Sequence, residues 1–193
     1  MNTHDVTQKL LDIFSVLFPQ GSIKKEWDAA KNSQDDFDRN EFYAPRVDIA
    51  IGPFNIDRQI EINNRRFSTL IQDNLEFLHK LYDISHLGEN LEYISFDSYL
   101  QTLNKNPRCF IALEIENTKA AKRALGDIVN ASAMGKIGIV IPVGQDKYEM
   151  FIKIKKYFHY LEQVGKLEGN FRNLLIIEAS KFIESFSNNK IIP

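Results

Sequence analysis

Apolar positions change period several times along this 193-residue chain. Val6, Leu10, Leu11, Ile13, Phe14, Leu17 and Phe18 recur at three- and four-residue steps. That spacing predicts an amphipathic helix over 5–18, closed by Pro19-Gln20-Gly21. Ser22 is placed to N-cap a second, short helix through Trp27, Ala29 and Ala30. Residues 32–40 are polar and acid-rich and read as a surface loop. Val47, Ile49 and Ile51 then alternate with Asp48 and Ala50, a period of two that predicts a strand, with a hairpin partner near 54–62. Phe67, Leu70, Ile71, Leu75, Leu78, Leu81 and Tyr82 return to helical spacing, giving one long helix over about 63–83. Residues 93–103 fit either a short strand or an extra helix.

The second half is more regular. Residues 110–116 form an apolar strand ending in two acids, and a helix is predicted over about 118–134, stopped by Gly135. A buried strand at 136–142, a helix over 147–165, a strand at 174–178 and a closing helix at 180–186 follow. Near-continuous apolar strands separated by helices imply parallel pairing through crossovers. The expected fold is α/β, a central mixed β-sheet flanked by helices, in one domain spanning 1–193. Its core is expected at about 22–142, with a helix–strand–helix extension at 147–186.

The strand acids carry the chemistry. In Phe110-Ile111-Ala112-Leu113-Glu114-Ile115-Glu116-Asn117 the alternation puts Glu114 and Glu116 on one face, their Cα atoms about 6.6 Å apart at about 3.3 Å per residue. Burying unpaired carboxylates is costly, so the pair requires either a divalent cation or the lysines that follow. Asp48 is an acid inside a strand, where Asp is disfavoured. Set beside Glu114 and Glu116 it would complete an oxygen-rich site of the kind Mg²⁺ prefers. In the next helix Ala121, Ala124, Leu125, Ile128 and Ala131 form the apolar face, with Lys119, Arg123 and Asn130 roughly opposite and Lys122 on the flank. Three cations in the first turns oppose the helix macrodipole, so something negative should offset them: the two glutamates or a phosphate. A solvated charged face is the alternative for Arg123, and a buried acid satisfied by Arg46 or a helix lysine is the alternative for each carboxylate.

Composition narrows the class less. The formal net charge is −2, 44% of residues are hydrophobic and 26% charged, the profile of an ordinary globular protein rather than a polycation. The single cysteine, Cys109, excludes an internal disulfide framework and a Cys-cluster zinc site. No apolar run reaches the roughly 20 residues that span a bilayer, and the N-terminus lacks the order of a signal peptide, so a cytoplasmic protein is expected. His4, His79, His86 and His159 have no ligand spacing, and Gly135-Lys136-Ile137-Gly138 is not a phosphate loop. Lys153, Lys155 and Lys156, interleaved with Phe151, Tyr157 and Phe158, fit either a solvated helix face or a basic flank for a phosphate backbone.

Pro45-Arg46-Val47-Asp48 in one strand, followed in a later strand by Glu114-Ile115-Glu116, resembles the motif of the restriction endonuclease-like, or PD-(D/E)xK, nuclease superfamily, an Asp in one strand and Glu-x-Lys in the next. The likeness covers roughly residues 22–142. It departs from the pattern at Glu116, which stands where the family has Lys. The resemblance implies a metal-dependent endonuclease hydrolysing DNA phosphodiester bonds, with a type II restriction enzyme acting as a homodimer as one biological form. It implies Mg²⁺ or Mn²⁺ held by Asp48, Glu114 and the Ile115 carbonyl, with Glu26 reaching the metal through water from a helix before the Asp48 strand. Glu116 would be a further ligand or general base, and Lys119 or Lys122 would replace the missing cation. Two rivals stand beside it. One is a catalytically inactive module of the same fold that binds nucleic acid or serves as a subunit of a larger complex. The other is an unrelated α/β protein, which a separation of more than about 10 Å between Asp48 and Glu114 would select, since paired metal ions lie only about 4 Å apart.

Overall fold

Five strands and seven helices make up the computed structural model, which describes residues 1–28, 46–54, 60–86, 94–167 and 171–187. Pro45 and the loop expected at 32–40 lie outside the described residues. Helix α1 (Thr3–Leu17) starts at Asn2, whose side chain accepts from the Asp5 N–H, and buries Val6, Leu10 and Phe14 as the periodicity predicts. The strands are β1 (Ile23–Asp28), β2 (Arg46–Ile51), β3 (Cys109–Glu116), β4 (Gly135–Pro142) and β5 (Leu174–Ile176), in the spatial order β1-β2-β3-β4-β5. β1, β2 and β3 are antiparallel neighbours, while β3, β4 and β5 run parallel. The sheet is therefore mixed and flanked by helices, the α/β class the sequence implies.

Between β2 and β3 lie α2 (Ile60–Asp73), α3 (Leu75–His86) and α4 (Phe96–Gln101). The parallel half is joined through α5 (Ala121–Met134) and α6 (Gln145–Gln163), and α7 (Ala179–Ser187) closes the described chain. Three expectations change. From Ile23 to Asp28 the segment is a strand and not the expected helix: Ile23 and Trp27 have helical spacing, but five of the six residues pair along β2 as an edge strand, and the run Lys24-Lys25-Glu26 is the charged sequence such an edge tolerates. Ala29 and Ala30 lie outside the described residues. The hairpin partner expected near 54–62 is not formed at its C-terminal end, where α2 begins at Ile60. The long helix breaks at Asn74, whose side-chain amide donates to the Leu70 carbonyl at 2.9 Å in competition with the helix backbone. Residues 93–103 resolve in favour of a helix, α4, capped by Ser95.

Alternation along β2, β3 and β4 divides the interior. Ile49, Ile51, Ile111, Leu113, Ile115, Ile137, Ile139 and Ile141 join one large core with α1, α2, α3 and α7. Its aromatic rings interlock, Phe110 meeting Phe18 at 6.1 Å and Phe67 at 6.4 Å between centroids. The opposite face carries small residues, Ala50, Ala112 and Gly138, under α5. A Cβ on Gly138 would stand 2.7 Å from the Ala131 backbone, so only glycine lets α5 lie this close to the sheet. Asn173 ties the junction, its amide donating to the Ser132 and Gly135 carbonyls at 3.0 and 3.2 Å. That close approach positions the polar side of α5 over the acids.

Candidate functional site at the end of the β2–β3 ladder

The β2–β3 ladder runs through Ile51↔Ile111, Ala50↔Ala112 and Ile49↔Leu113, a register that places Asp48 across from Glu114. There side chains take over from the backbone. Asp48 Oδ2 accepts the Ile115 N–H at 2.7 Å, and the Asp48 N–H points at Glu114 Oε2, 3.4 Å away. Asp48 and Glu114 are thus neighbours, not the separated acids of the unrelated-protein reading. N–H and C=O of one strand residue leave by the same edge, so the Ile115 carbonyl also faces the β2 side, while the Glu116 carbonyl is taken by the Val143 N–H on the β4 side at 2.8 Å.

Helix α5 supplies the rest. Arg123, Asp127 and Asn130 stand four and three residues apart and so share one helix face. Asn130 Nδ2 donates to Glu114 Oε1 at 3.3 Å. Arg123 Nε lies 2.8 Å from Glu116 Oε2, an ion pair without hydrogen-bond alignment, in which the carboxylate is 2% exposed and the arginine 65%. Glu116 Oε1 also accepts from the Thr118 N–H. Asp127 Oδ2 and Glu116 Oε2 are both buried with no donor directed at them, an arrangement that one proton shared between the two carboxyls would satisfy.

Burial, with charge crowding second, sets the protonation. Burial pushes Glu114 up to about 9, helped by the nearby Asp48 and Asp127 and opposed by the hydrogen bonds from Asn130 and the Asp48 N–H. Asp127 is raised to about 7, first by burial and then by its contact with Glu116, with Arg123 opposing. Asp48 is also raised, by burial first and then by Glu26 and Glu116, against the Ile115 hydrogen bond and Arg123. Among the described residues one guanidinium, that of Arg123, faces several carboxyls.

The predicted residues are distributed unevenly. Asp48, Glu114, Ile115 and Glu116 come together as the alternation implies. Glu26 belongs to β1 instead of a helix; it is exposed, has φ of 45°, and lies between the paired residues Lys25 and Trp27, close enough to Asp48 to raise that carboxyl. Lys119 does not reach the acids. Its Nζ lies 2.8 Å from Asp146 at the start of α6, and both partners are exposed. Lys122 is exposed on α5, and no ion pair joins it to Asp48, Glu114 or Glu116. Ala121 and Leu125, assigned to the apolar face, are exposed as well, leaving Ala124, Ile128 and Ala131 to pack. Asp127 was missed and Asn130 given no role; the i, i+4, i+7 spacing from Arg123 was the signal for both.

The donor set is hard oxygen, three carboxylates and a main-chain carbonyl, and suits a divalent cation. In this structure the carboxylates are turned onto backbone N–H groups, Asn130 and Arg123, so that among the described residues no three His, Cys, Asp or Glu side chains converge at ligating distance. The residues fit in kind, and a cation would have to displace the long contacts to Glu114. A cavity of about 150 Å³ lies elsewhere, between Tyr82, Tyr99, Phe158, Phe171 and Leu175, and includes none of these acids. Among the described residues no helix is long and apolar enough to cross a membrane. Comparisons with protein-family models, with curated proteins and with solved structures found no match to the chain.

Proposed function

We propose that the protein is a metal-dependent nuclease of restriction endonuclease-like type that hydrolyses DNA phosphodiester bonds. The observation that carries this reading is the meeting of Asp48 with Glu114 and Ile115 where the β2–β3 ladder ends, within a cluster of buried carboxyls. Asp48, Glu114 and the Ile115 carbonyl would hold Mg²⁺ or Mn²⁺. When bound, the ion supplies Lewis-acid polarisation of the phosphate and a lowered water pKa. Asn130 holds the Glu114 carboxylate in place. Glu116 would be a further ligand or orient a water, with the Asp127 carboxyl beside it. Arg123 takes the part of the missing lysine: its exposed guanidinium, anchored on Glu116, can face a phosphate from the solvent side. A type II restriction enzyme remains the biological form this reading favours.

The inactive-module reading is supported by one observation, the inward-turned carboxylates of which no three converge. The deciding experiment is cleavage of unmodified and methylated plasmid DNA with Mg²⁺ or Mn²⁺, beside the Asp48→Ala/Glu114→Ala double variant, with metal binding followed by calorimetry. Cutting and metal binding by the wild type alone are expected. Intact DNA together with no heat of metal binding would move the protein to the inactive module.

A further inference from the structure

The cavity of about 150 Å³ sits where the sheet stops. β5 is the last strand in the spatial order and is only three residues long. Leu175 packs into the large core and Leu174 into the cluster under α6 on the opposite face, yet both line the cavity, so it wraps around the sheet edge. Two aromatic pairs wall it. Tyr82 of α3 and Tyr99 of α4 belong to one layer, 4.9 Å apart between ring centroids and inclined by 36°. Phe158 of α6 and Phe171 belong to the other, stacked at 4.7 Å and within 10° of parallel. Both tyrosine hydroxyls are turned onto the backbone, donating to the Ile94 and Asn173 carbonyls, so the tyrosines offer the cavity mainly ring carbon.

The polar side of the cavity has a sign. Lys155, Phe158, His159 and Glu162 recur at three- and four-residue steps, so one face of α6 presents all four to it. Arg172 joins them, its Nε 3.3 Å from Glu162. Among the described lining residues cations outnumber carboxylates two to one, and Glu162 is already engaged by Arg172. An apolar cavity of roughly 150 Å³ is large enough to take benzene. Flat walls favour a flat occupant, because aromatic rings gain from offset and edge contacts beyond the area they bury. We propose that this cavity is a binding site for a monocyclic aromatic anion. The ring lies between the tyrosine pair and the phenylalanine pair, and the carboxylate meets Lys155 and Arg172 at the polar side. Asp48, Glu114 and Glu116 take no part in the lining, so this site stands or falls independently of the nuclease reading.

The test is calorimetric titration of the full chain with benzoate, with cyclohexanecarboxylate (equal in charge and similar in size, but not flat) and with benzylamine, beside thermal melting. Benzoate is expected to bind with a Kd of about 0.1–1 mM and to raise the melting temperature. The other two should bind at least about tenfold more weakly, one for its shape and the other for its charge. Lys155→Met and Arg172→Met should each weaken benzoate about three- to tenfold with circular dichroism unchanged. Lys153→Met, on the same helix but exposed and outside the lining, should not. Leu175→Phe, which fills the cavity, should abolish binding; should that variant fail to fold, the two methionine variants at the polar side still locate the site. No saturable benzoate binding up to about 10 mM overturns the proposal. So does equal affinity for benzoate and either of the other probes, or benzoate binding indifferent to both Lys155→Met and Arg172→Met.

Discussion

The two faces of the sheet are built from alternate residues of the same strands, yet they do different work. On one face, eight Ile and Leu side chains of β2, β3 and β4 meet an interlocked set of phenylalanines. On the other, Asp48, Glu114 and Glu116 share the strands with Ala50, Ala112 and Gly138, and a helix pressed close brings Arg123, Asp127 and Asn130 onto the acids. Burial stabilises on the first face because the groups are apolar; on the second the same burial raises carboxyl pKa values. Stability is concentrated on one side, and reactive, proton-holding groups on the other.

The largest effect should come from the apolar face. Phe110→Ala removes a fully buried ring and should lower the unfolding free energy by about 3–5 kcal/mol, read from urea denaturation, while leaving metal binding by any folded fraction unchanged. If a core truncation proved milder than Ala112→Leu, which forces α5 away from the sheet and should cost about 1–3 kcal/mol, the contrast between the faces would be wrong.

Next comes the pH dependence of the polar face. Glu114 titrates near 9 in the folded protein, above its ordinary 4.5, so the folded state binds more protons than the unfolded one between these values. Its stabilising contribution is complete below about pH 4.5 and is lost as pH rises through about 9. Asp127 acts in the same direction as pH rises from 3.8 through about 7. Melting temperature should therefore fall from mildly acidic to alkaline pH, and Glu114→Gln should flatten the fall. Mg²⁺ added at alkaline pH should restore part of the wild-type melting temperature and none of the variant's.

Smaller still is Arg123→Ala, which leaves Glu116 buried without its cation. The exposed position of the guanidinium limits the loss to about 1–2 kcal/mol, and adding Glu116→Gln should recover most of it in a double-mutant cycle. Least of all, Lys119→Ala should shift neither the denaturation midpoint nor nuclease activity, since its partner Asp146 is exposed and both stand apart from the acids. Loss of activity on Lys119→Ala would return that residue to the site and displace Arg123 from the role proposed for it.

Residue pattern alone was enough for α1, β2, β3, α5, β4 and α7, because each has a long, consistent apolar period with punctuation such as Pro19 or Gly135. It failed at β1, where Ile23 and Trp27 mimic a helix and only pairing with β2 makes a strand of six residues bearing three consecutive charges. It also failed at Asn74, where one side-chain hydrogen bond divides a helix whose apolar spacing continues across the break. The carboxylates of the site were legible for a similar reason as the strands: an acid alternating with Ile in a buried strand needs a partner. Their partners were not. Lys119, Lys122 and Arg123 are alike in charge and adjacent in sequence, and which one meets Glu116 depends on where α5 begins and how near the sheet it lies.

What the sequence by itself determined is the alternation, and with it the α/β class, the two-faced sheet and the presence of Asp48, Glu114 and Glu116 on its strands. These are local properties, fixed by a period of two in φ/ψ geometry whatever the rest of the chain does. Tertiary structure alone decided that β2 and β3 pair in the register that sets Asp48 across from Glu114, and that Gly138 admits α5 closely enough for Arg123, Asp127 and Asn130 to touch the acids. Register depends on contacts between residues some 66 apart in the chain and the approach of α5 on contacts such as Asn130 to Glu114, 16 apart, and no pattern within a single element encodes either.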